Sequence, residues 1–230
     1  MMITLEQDDL QWILRRTPKD ILKLLKNTPK LIMASGCIRS IIANEKVNDI
    51  DLFYNNSEEA KKLAQSLGPT FETGNASSVK FNGVQVQFIH RWTYDSPKEL
   101  MESFDFTIAQ AAIWYGPMAG TWLSICSDQF YSDLAAKRLR YLSPIRNEDA
   151  GGSILRVLKF YQRGYRIPLE DLAKVIARLN SGVKNIGDMD EPGMAKIISG
   201  LLREVDPNID PSHIAHLPSS LSERELEEKV

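Results

Sequence analysis

The sequence changes period once, near Ser127, and that change limits the folds open to it. Before it, short alternating or apolar runs are separated by Gly, Pro and Asn-Gly turns. After it, apolar residues recur at three-and-four spacing over 128–141, 153–165, 169–180 and 192–204, with breaks at Gly and Pro. The expectation is an α/β (α+β) chain with a mixed sheet flanked by helices over 1–127 and a small helical domain over 128–205. Residues 206–230 have proline breaks, few large apolar side chains and a charged end, which predicts a mobile tail. At 230 residues and 43% hydrophobic, the chain can bury a substantial core.

Within the first part, Leu10, Ile13, Leu14, Ile21, Leu22, Leu24 and Leu25 keep helical spacing across 5–27, interrupted at Thr17-Pro18. Two short helices with Thr17 as the cap of the second follow from that pattern. Lys30–Ala34 reads as a buried strand, Ser35-Gly36 as a tight turn and Cys37–Asn44 as a helix. Val47–Tyr54 alternates, placing Val47, Asp49, Asp51 and Phe53 on one face and Asn48, Ile50, Leu52 and Tyr54 on the other. Ser57–Leu67 is an amphipathic helix with Ser57 as its cap, and Thr70–Arg91 a pair of strands around Asn82-Gly83. Phe104–Tyr115 and Thr121–Cys126 complete the sheet.

A formal net charge of −2 argues against a nonspecific nucleic-acid coat, which draws on a broad excess of Lys and Arg. Cys37 and Cys126 are too few for a disulfide framework and stand in no zinc-type spacing. No stretch approaches the roughly 18 apolar residues of a membrane span. A soluble, cytoplasmic protein is the expectation.

The chemistry is carried by Asp49 and Asp51. Two carboxylates at alternate positions of one strand face repel each other, and each raises the other's pKa unless a cation neutralises them. Magnesium suits such a pair because it takes hard oxygen ligands, keeps several waters and completes its shell with substrate phosphates. Two-metal phosphoryl chemistry usually adds a third carboxylate, and Asp105, at the head of the Phe104–Tyr115 strand, is the candidate. Upstream, a tight turn at Ser35-Gly36 opening a helix offers backbone N–H groups to an anion, with Arg39 one turn further and the Ser35 or Ser40 hydroxyl at hand.

Ser35-Gly36-x-x-Arg39, twelve intervening residues from Gly36 to Asp49-Ile50-Asp51, then Phe104-Asp105-Phe106-Thr107, together resemble the signature of the DNA polymerase beta-like nucleotidyltransferase superfamily. The likeness is greatest to the head of bacterial-type poly(A) polymerases and CCA-adding enzymes. Leu155–Phe160 and Gly164-Tyr165-Arg166-Ile167 are similar to the start of that family's neck helix and the turn after it. The resemblance implies Asp49, Asp51 and Asp105 as catalytic and metal-binding residues with two Mg2+ ions. It implies Ser35, Gly36, Arg39, Ser40, Arg156 and Lys159 as nucleotide contacts. It also implies transfer of a nucleotide from a nucleoside triphosphate, ATP among the candidates, to a hydroxyl such as an RNA 3′ end. Ser35 stands where the family has glycine, Ser40 where it has an acid, and Ser103-Phe104 where it has two arginines. Of the family's base-choosing pattern only Arg156 is present, with Ser153 at the other arginine position and Asp149 as the one nearby acid.

Two rival functions use the same residues: a nucleotide- or RNA-binding module without turnover, favoured by the missing arginines, and transfer to a protein or small molecule. His90 is expected to be a surface histidine, and Trp114, Tyr115 and Trp122 core residues of a half-buried sheet. Lys137, Arg138, Arg140, Arg146, Arg156, Lys159, Arg163 and Arg166, diluted by Asp133, Glu148 and Asp149, form a basic stretch that reads equally as an RNA- or phosphate-facing surface or a solvated helix face.

Overall fold

The computed structural model describes residues 1–81, 83–144, 151–181 and 190–205, the last seven as backbone alone. Asn82, Arg146, Glu148, Asp149 and the 206–230 segment lie outside the described residues. The chain forms two compact units, Met1–Ala135 and Ala136–Val230.

In the first unit, an eight-stranded mixed sheet runs β1-β8-β7-β2-β3-β6-β5-β4. The strands are β1 (Met2–Ile3), β2 (Ile32–Ala34), β3 (Asp49–Phe53), β4 (Thr70–Glu72), β5 (Ala76–Phe81), β6 (Val84–Ile89), β7 (Ala111–Gly116) and β8 (Thr121–Ser127). Helices α1 (Gln7–Arg16), α2 (Lys19–Asn27), α3 (Gly36–Ile42), α4 (Ser57–Leu67), α5 (Pro97–Glu102) and α6 (Phe130–Ala135) accompany it. Both edge strands are very short, which limits the unpaired backbone offered to another chain.

Several elements differ from the sequence expectation, each for a local reason. Thr17 ends α1 rather than starting α2: its hydroxyl donates to the Ile13 carbonyl at 2.8 Å, and Pro18 precedes α2. The cap of α4 is Asn56, whose side chain accepts from the Glu59 N–H at 3.0 Å, while the Ser57 hydroxyl donates to the His90 carbonyl at 2.8 Å. Thr70–Arg91 holds three strands, because Thr73–Asn75 turns β4 back onto β5, with the Thr73 hydroxyl accepting from both the Asn75 and Ala76 N–H groups. The strand expected from Phe104 begins only at Ala111. Thr107–Ala109 is a 3-10 turn, and the Gln110 side chain donates to the Met101 carbonyl at 2.7 Å, tying the segment to α5 instead of the sheet. The helix expected over 128–141 covers only Phe130–Ala135. At Lys137 the backbone turns left-handed (φ 47°), and the Leu139 N–H then donates to the Arg166 carbonyl at 2.9 Å, an extended pairing that buries Leu139.

The sheet's alternation sorts its residues by face. Met33, Leu52, Val86, Phe88 and Ile113 are fully buried on one side. On the other, Ile32, Ala34, Phe53 and Ala112 pack with Leu100 and Met101 of α5. Tyr94 and Phe104 meet Phe53 edge-on, with ring centroids 6.2 and 5.9 Å away. Trp114 packs against this cluster, and Tyr115 meets Trp122 edge-on at 5.5 Å.

In the second unit, α7 (Gly152–Gln162), α8 (Leu169–Ser181) and α9 (Glu191–Val205) follow the periodicity closely. Val157, Phe160, Tyr165, Val175 and Leu179 are buried there, with Phe160 and Tyr165 edge-on at 5.3 Å. Gly164 (φ 87°) supplies the left-handed turn that ends α7, a conformation that costs a side chain and suits glycine.

Candidate active site

The site begins where β2 ends. After Ala34 the backbone at Ser35 takes φ 71° and ψ −126°, a region L side chains rarely occupy, and its N–H donates to the Ala111 carbonyl at 2.8 Å. That bond anchors the turn to the start of β7 and launches α3 at Gly36. A Cβ placed on Gly36 would meet nothing nearer than the Arg39 guanidinium, 3.7 Å away. Arg39 and Ser40 are buried, 5% and 3% exposed, and the Arg39 guanidinium donates to the Ser40 hydroxyl oxygen at 3.3 Å. Arg39 therefore folds back beneath the turn, and the Ser40 hydroxyl faces the interior rather than solvent.

Asp49 and Asp51 stand on one face of β3, both half-buried, as their spacing predicts. The antiparallel register sets Ala34 opposite Asp51, so small side chains and the Ser35 turn flank the acids on the β2 side. On the other side β6 runs parallel to β3 and sets Gln85 beside Asp49 and Gln87 beside Asp51. Beneath them lies the Cys37 thiol, donating to the Ala34 carbonyl at 3.6 Å. Burial pushes its pKa far above the ordinary thiol value, and the charges of Asp51 and Asp49 push it further in the same direction. The thiol is protonated at neutral pH, so no thiolate competes with the acids for a cation.

Asp105 is placed differently from the sequence expectation. It lies in a bend between α5 and the 3-10 turn, not on a strand, and is 5% exposed. Among the described residues no three His, Cys, Asp or Glu side chains form a group that could hold a metal ion. The structure brings Asp49 and Asp51 onto one face of β3. Nearby, the Thr107 hydroxyl donates to the fully buried Asp133 carboxylate at 2.7 Å. Arg156 and Lys159 belong to α7 of the second unit, the former half-buried and the latter exposed. His90 is no surface residue: its side chain is 10% exposed, and Nε2 lies 3.5 Å from a Glu72 carboxylate oxygen.

The donor set fits a hard divalent ion held by one or two carboxylates, with water and phosphate oxygens completing its shell. Sequence reasoning passed over Gln85 and Gln87. They match no motif, and only the parallel pairing of β6 with β3 reveals them as neighbours of the acids. The alternation in Val84–Ile89 would have been the sole available signal.

Among solved structures, the chain is similar to a CCA-adding enzyme with CTP, with a TM-score of 0.57 and 20% identity over 92% of this chain and 57% of that one. It is similar also to the Thermotoga maritima CCA-adding enzyme complexed with tRNA, at a TM-score of 0.55 and 21% identity over 92% and 58%. At such identities the likeness concerns the fold alone. In sequence, the chain is 22% identical over 163 residues to Gabija anti-defense 2 of Bacillus phage SPbetaL7, covering 69% of this chain and 39% of that protein. It therefore spans about two fifths of that relative's length. Residues 4–137, which contain the whole β2–α3–β3 site, match the profile of the Gabija anti-defense 2 family. With more than half of its length matched, the chain belongs to the Gabija anti-defense 2 family.

Proposed function

We propose that this protein is a magnesium-dependent nucleotidyltransferase that moves a nucleotide from a nucleoside triphosphate to a hydroxyl acceptor. The observation that carries the reading is the placement of Asp49 and Asp51 on one half-buried strand face, flanked by the strained Ser35-Gly36 turn.

A bound magnesium ion supplies charge neutralisation at the α-phosphate and lowers the pKa of the attacking hydroxyl. Asp49 and Asp51 would hold it from one face of β3. Backbone N–H groups of the turn receive the outgoing phosphates. Arg39, buried beneath Gly36, contributes positive charge to that position, and its hydrogen bond to Ser40 fixes the guanidinium. Because magnesium completes its shell from water and phosphate, the pair suffices as protein ligands. The family name suggests a setting for this chemistry: opposition to the Gabija defence by modifying a component with a nucleotide.

The test compares the full chain with Asp51→Asn. Pyrophosphate release from each of the four nucleoside triphosphates is measured with oligonucleotide, protein and small-molecule acceptors. The natural chain releases pyrophosphate only with magnesium, and Asp51→Asn lowers the rate by about 10²–10³-fold, the usual cost of removing one electrostatic stabiliser. Nucleotide binding without any pyrophosphate, unchanged by Asp51→Asn, would instead establish a binding module.

A further inference from the structure

We infer that a cavity on the far side of the acid strand is a second binding site, built for a small amphipathic anion: a carboxylate carried on a short unbranched hydrocarbon chain. The alternation that turns Asp49 and Asp51 to one face of β3 turns Ile50 to the other. There Met33 of β2, Cys37 and Ile41 of α3, and Val47, Ile50 and Val84 line a cavity of about 290 Å³. Met33, Cys37, Ile41 and Ile50 are buried, while Val47 and Val84 are half-buried. Arg16, Asn44 and Lys46, which also line it, are exposed and so mark its opening. The lining therefore runs from apolar at depth to charged at the mouth. The site lies on the opposite face of β3 from the acid pair and does not rest on the transferase reading.

Protein interiors leave few voids larger than a water molecule. This one has about twice the roughly 150 Å³ that accommodates benzene in a protein core, and its walls hold it open. The Trp12 indole N–H of α1 donates to the Ile41 carbonyl at 3.3 Å. In the loop after α3, the Asn44 N–H donates to the Ile41 carbonyl at 3.2 Å and the Glu45 N–H to the Ser40 carbonyl at 2.7 Å. Across from them, the Thr17 hydroxyl bond to Ile13 and Pro18 fix the corner between α1 and α2. Walls tied in this way do not collapse into the space, so a hydrocarbon entering it gains contacts that the lining otherwise lacks. Charge at the mouth selects the head group. Two cations, Arg16 and Lys46, stand there against one carboxylate, Glu45. Among the described residues Arg16 meets the Trp12 ring, 4.6 Å away, and neither it nor Lys46 is paired with an acid. A carboxylate answers both cations; an alcohol leaves them unanswered, and an ammonium meets two like charges.

The experiment titrates the full chain with hexanoate, octanoate, octanol and octylamine by calorimetry. Octanoate binds at one saturable site, and each methylene between hexanoate and octanoate tightens binding about fourfold. Arg16→Gln and Lys46→Gln each weaken octanoate about two- to fivefold, the range for an exposed ion pair, and leave octanol within about twofold. Octanol binds the natural chain about four- to twenty-five-fold more weakly than octanoate, as loss of both pairs requires, and octylamine more weakly still. Val84→Trp fills the cavity from its opening and abolishes octanoate binding while urea unfolding stays cooperative. Val47→Trp, from a different wall, gives the same result and stands in if Val84→Trp does not fold. No saturable octanoate binding by the natural chain, or binding that survives either substitution in a folded protein, overturns the site. Octanol or octylamine binding as tightly as octanoate overturns its assignment to an anion.

Discussion

Ser35 holds φ 71° and ψ −126°, a conformation that favours glycine, and its side chain makes no capping hydrogen bond to offset the strain. Such a conformation costs a non-glycine residue about 1–3 kcal/mol. Ser35→Gly removes that cost but gives the unfolded chain extra freedom worth about 0.5–1 kcal/mol. The net expectation is a gain of about 0–2.5 kcal/mol, or up to roughly 10 °C in the melting temperature for a chain of this size. Ser35→Ala is the control: it keeps the Cβ and therefore the strain, and should fall within about 0.5 kcal/mol of the natural protein. Denaturant unfolding of the three proteins, followed by circular dichroism, measures both differences. If Ser35→Ala gains as much as Ser35→Gly, the effect lies in the hydroxyl and the strain argument is wrong. If Ser35→Gly is destabilising, the turn is not in this conformation. Because the Ser35 N–H to Ala111 bond survives either change, triphosphate binding should change less than threefold in Ser35→Gly, an allowance of about 0.65 kcal/mol.

Gly36→Ala separates folding from binding at the neighbouring position: with no atom nearer than 3.7 Å to the new Cβ, stability should rise by about 0.4–1 kcal/mol. Triphosphate affinity should fall at least tenfold, because the methyl group occupies the approach of the phosphates; calorimetry measures both, and unchanged affinity would remove Gly36 from the site. Thr107→Val deletes the 2.7 Å bond to the buried Asp133 carboxylate and should cost about 1.5–3 kcal/mol in urea unfolding, the range for a hydrogen bond to a charged group. Burial, then the charges of Glu6 and Asp128, push the Cys126 thiol from its ordinary 9.0 up to about 12. The folded chain keeps a proton the unfolded chain releases, so this contribution is intact below pH 9, is lost as pH rises toward 12, and falls by about 1.4 kcal/mol per pH unit. Cys126→Ala should flatten the stability profile between pH 9.5 and 11 by about that slope; an unchanged slope refutes the assignment.

The sequence by itself determined the strand–turn–helix–strand order from Ile32 to Phe53, the shared face of Asp49 and Asp51, and the helices of the second unit. All of these depend on local spacing: period two fixes which side chains share a strand face, and period near 3.6 fixes a helical stripe. It did not determine where Asp105 sits. The same apolar run that suggests a strand from Phe104 also serves a bend and a 3-10 turn once Gln110 is tied to α5, and only packing chooses between them. Nor could it show Gln85 and Gln87 as neighbours of the acids. Their adjacency arises from the pairing of β6 with β3, and strand pairing is a long-range choice made by the buried faces Val86 and Phe88 present to the core, which no local spacing records.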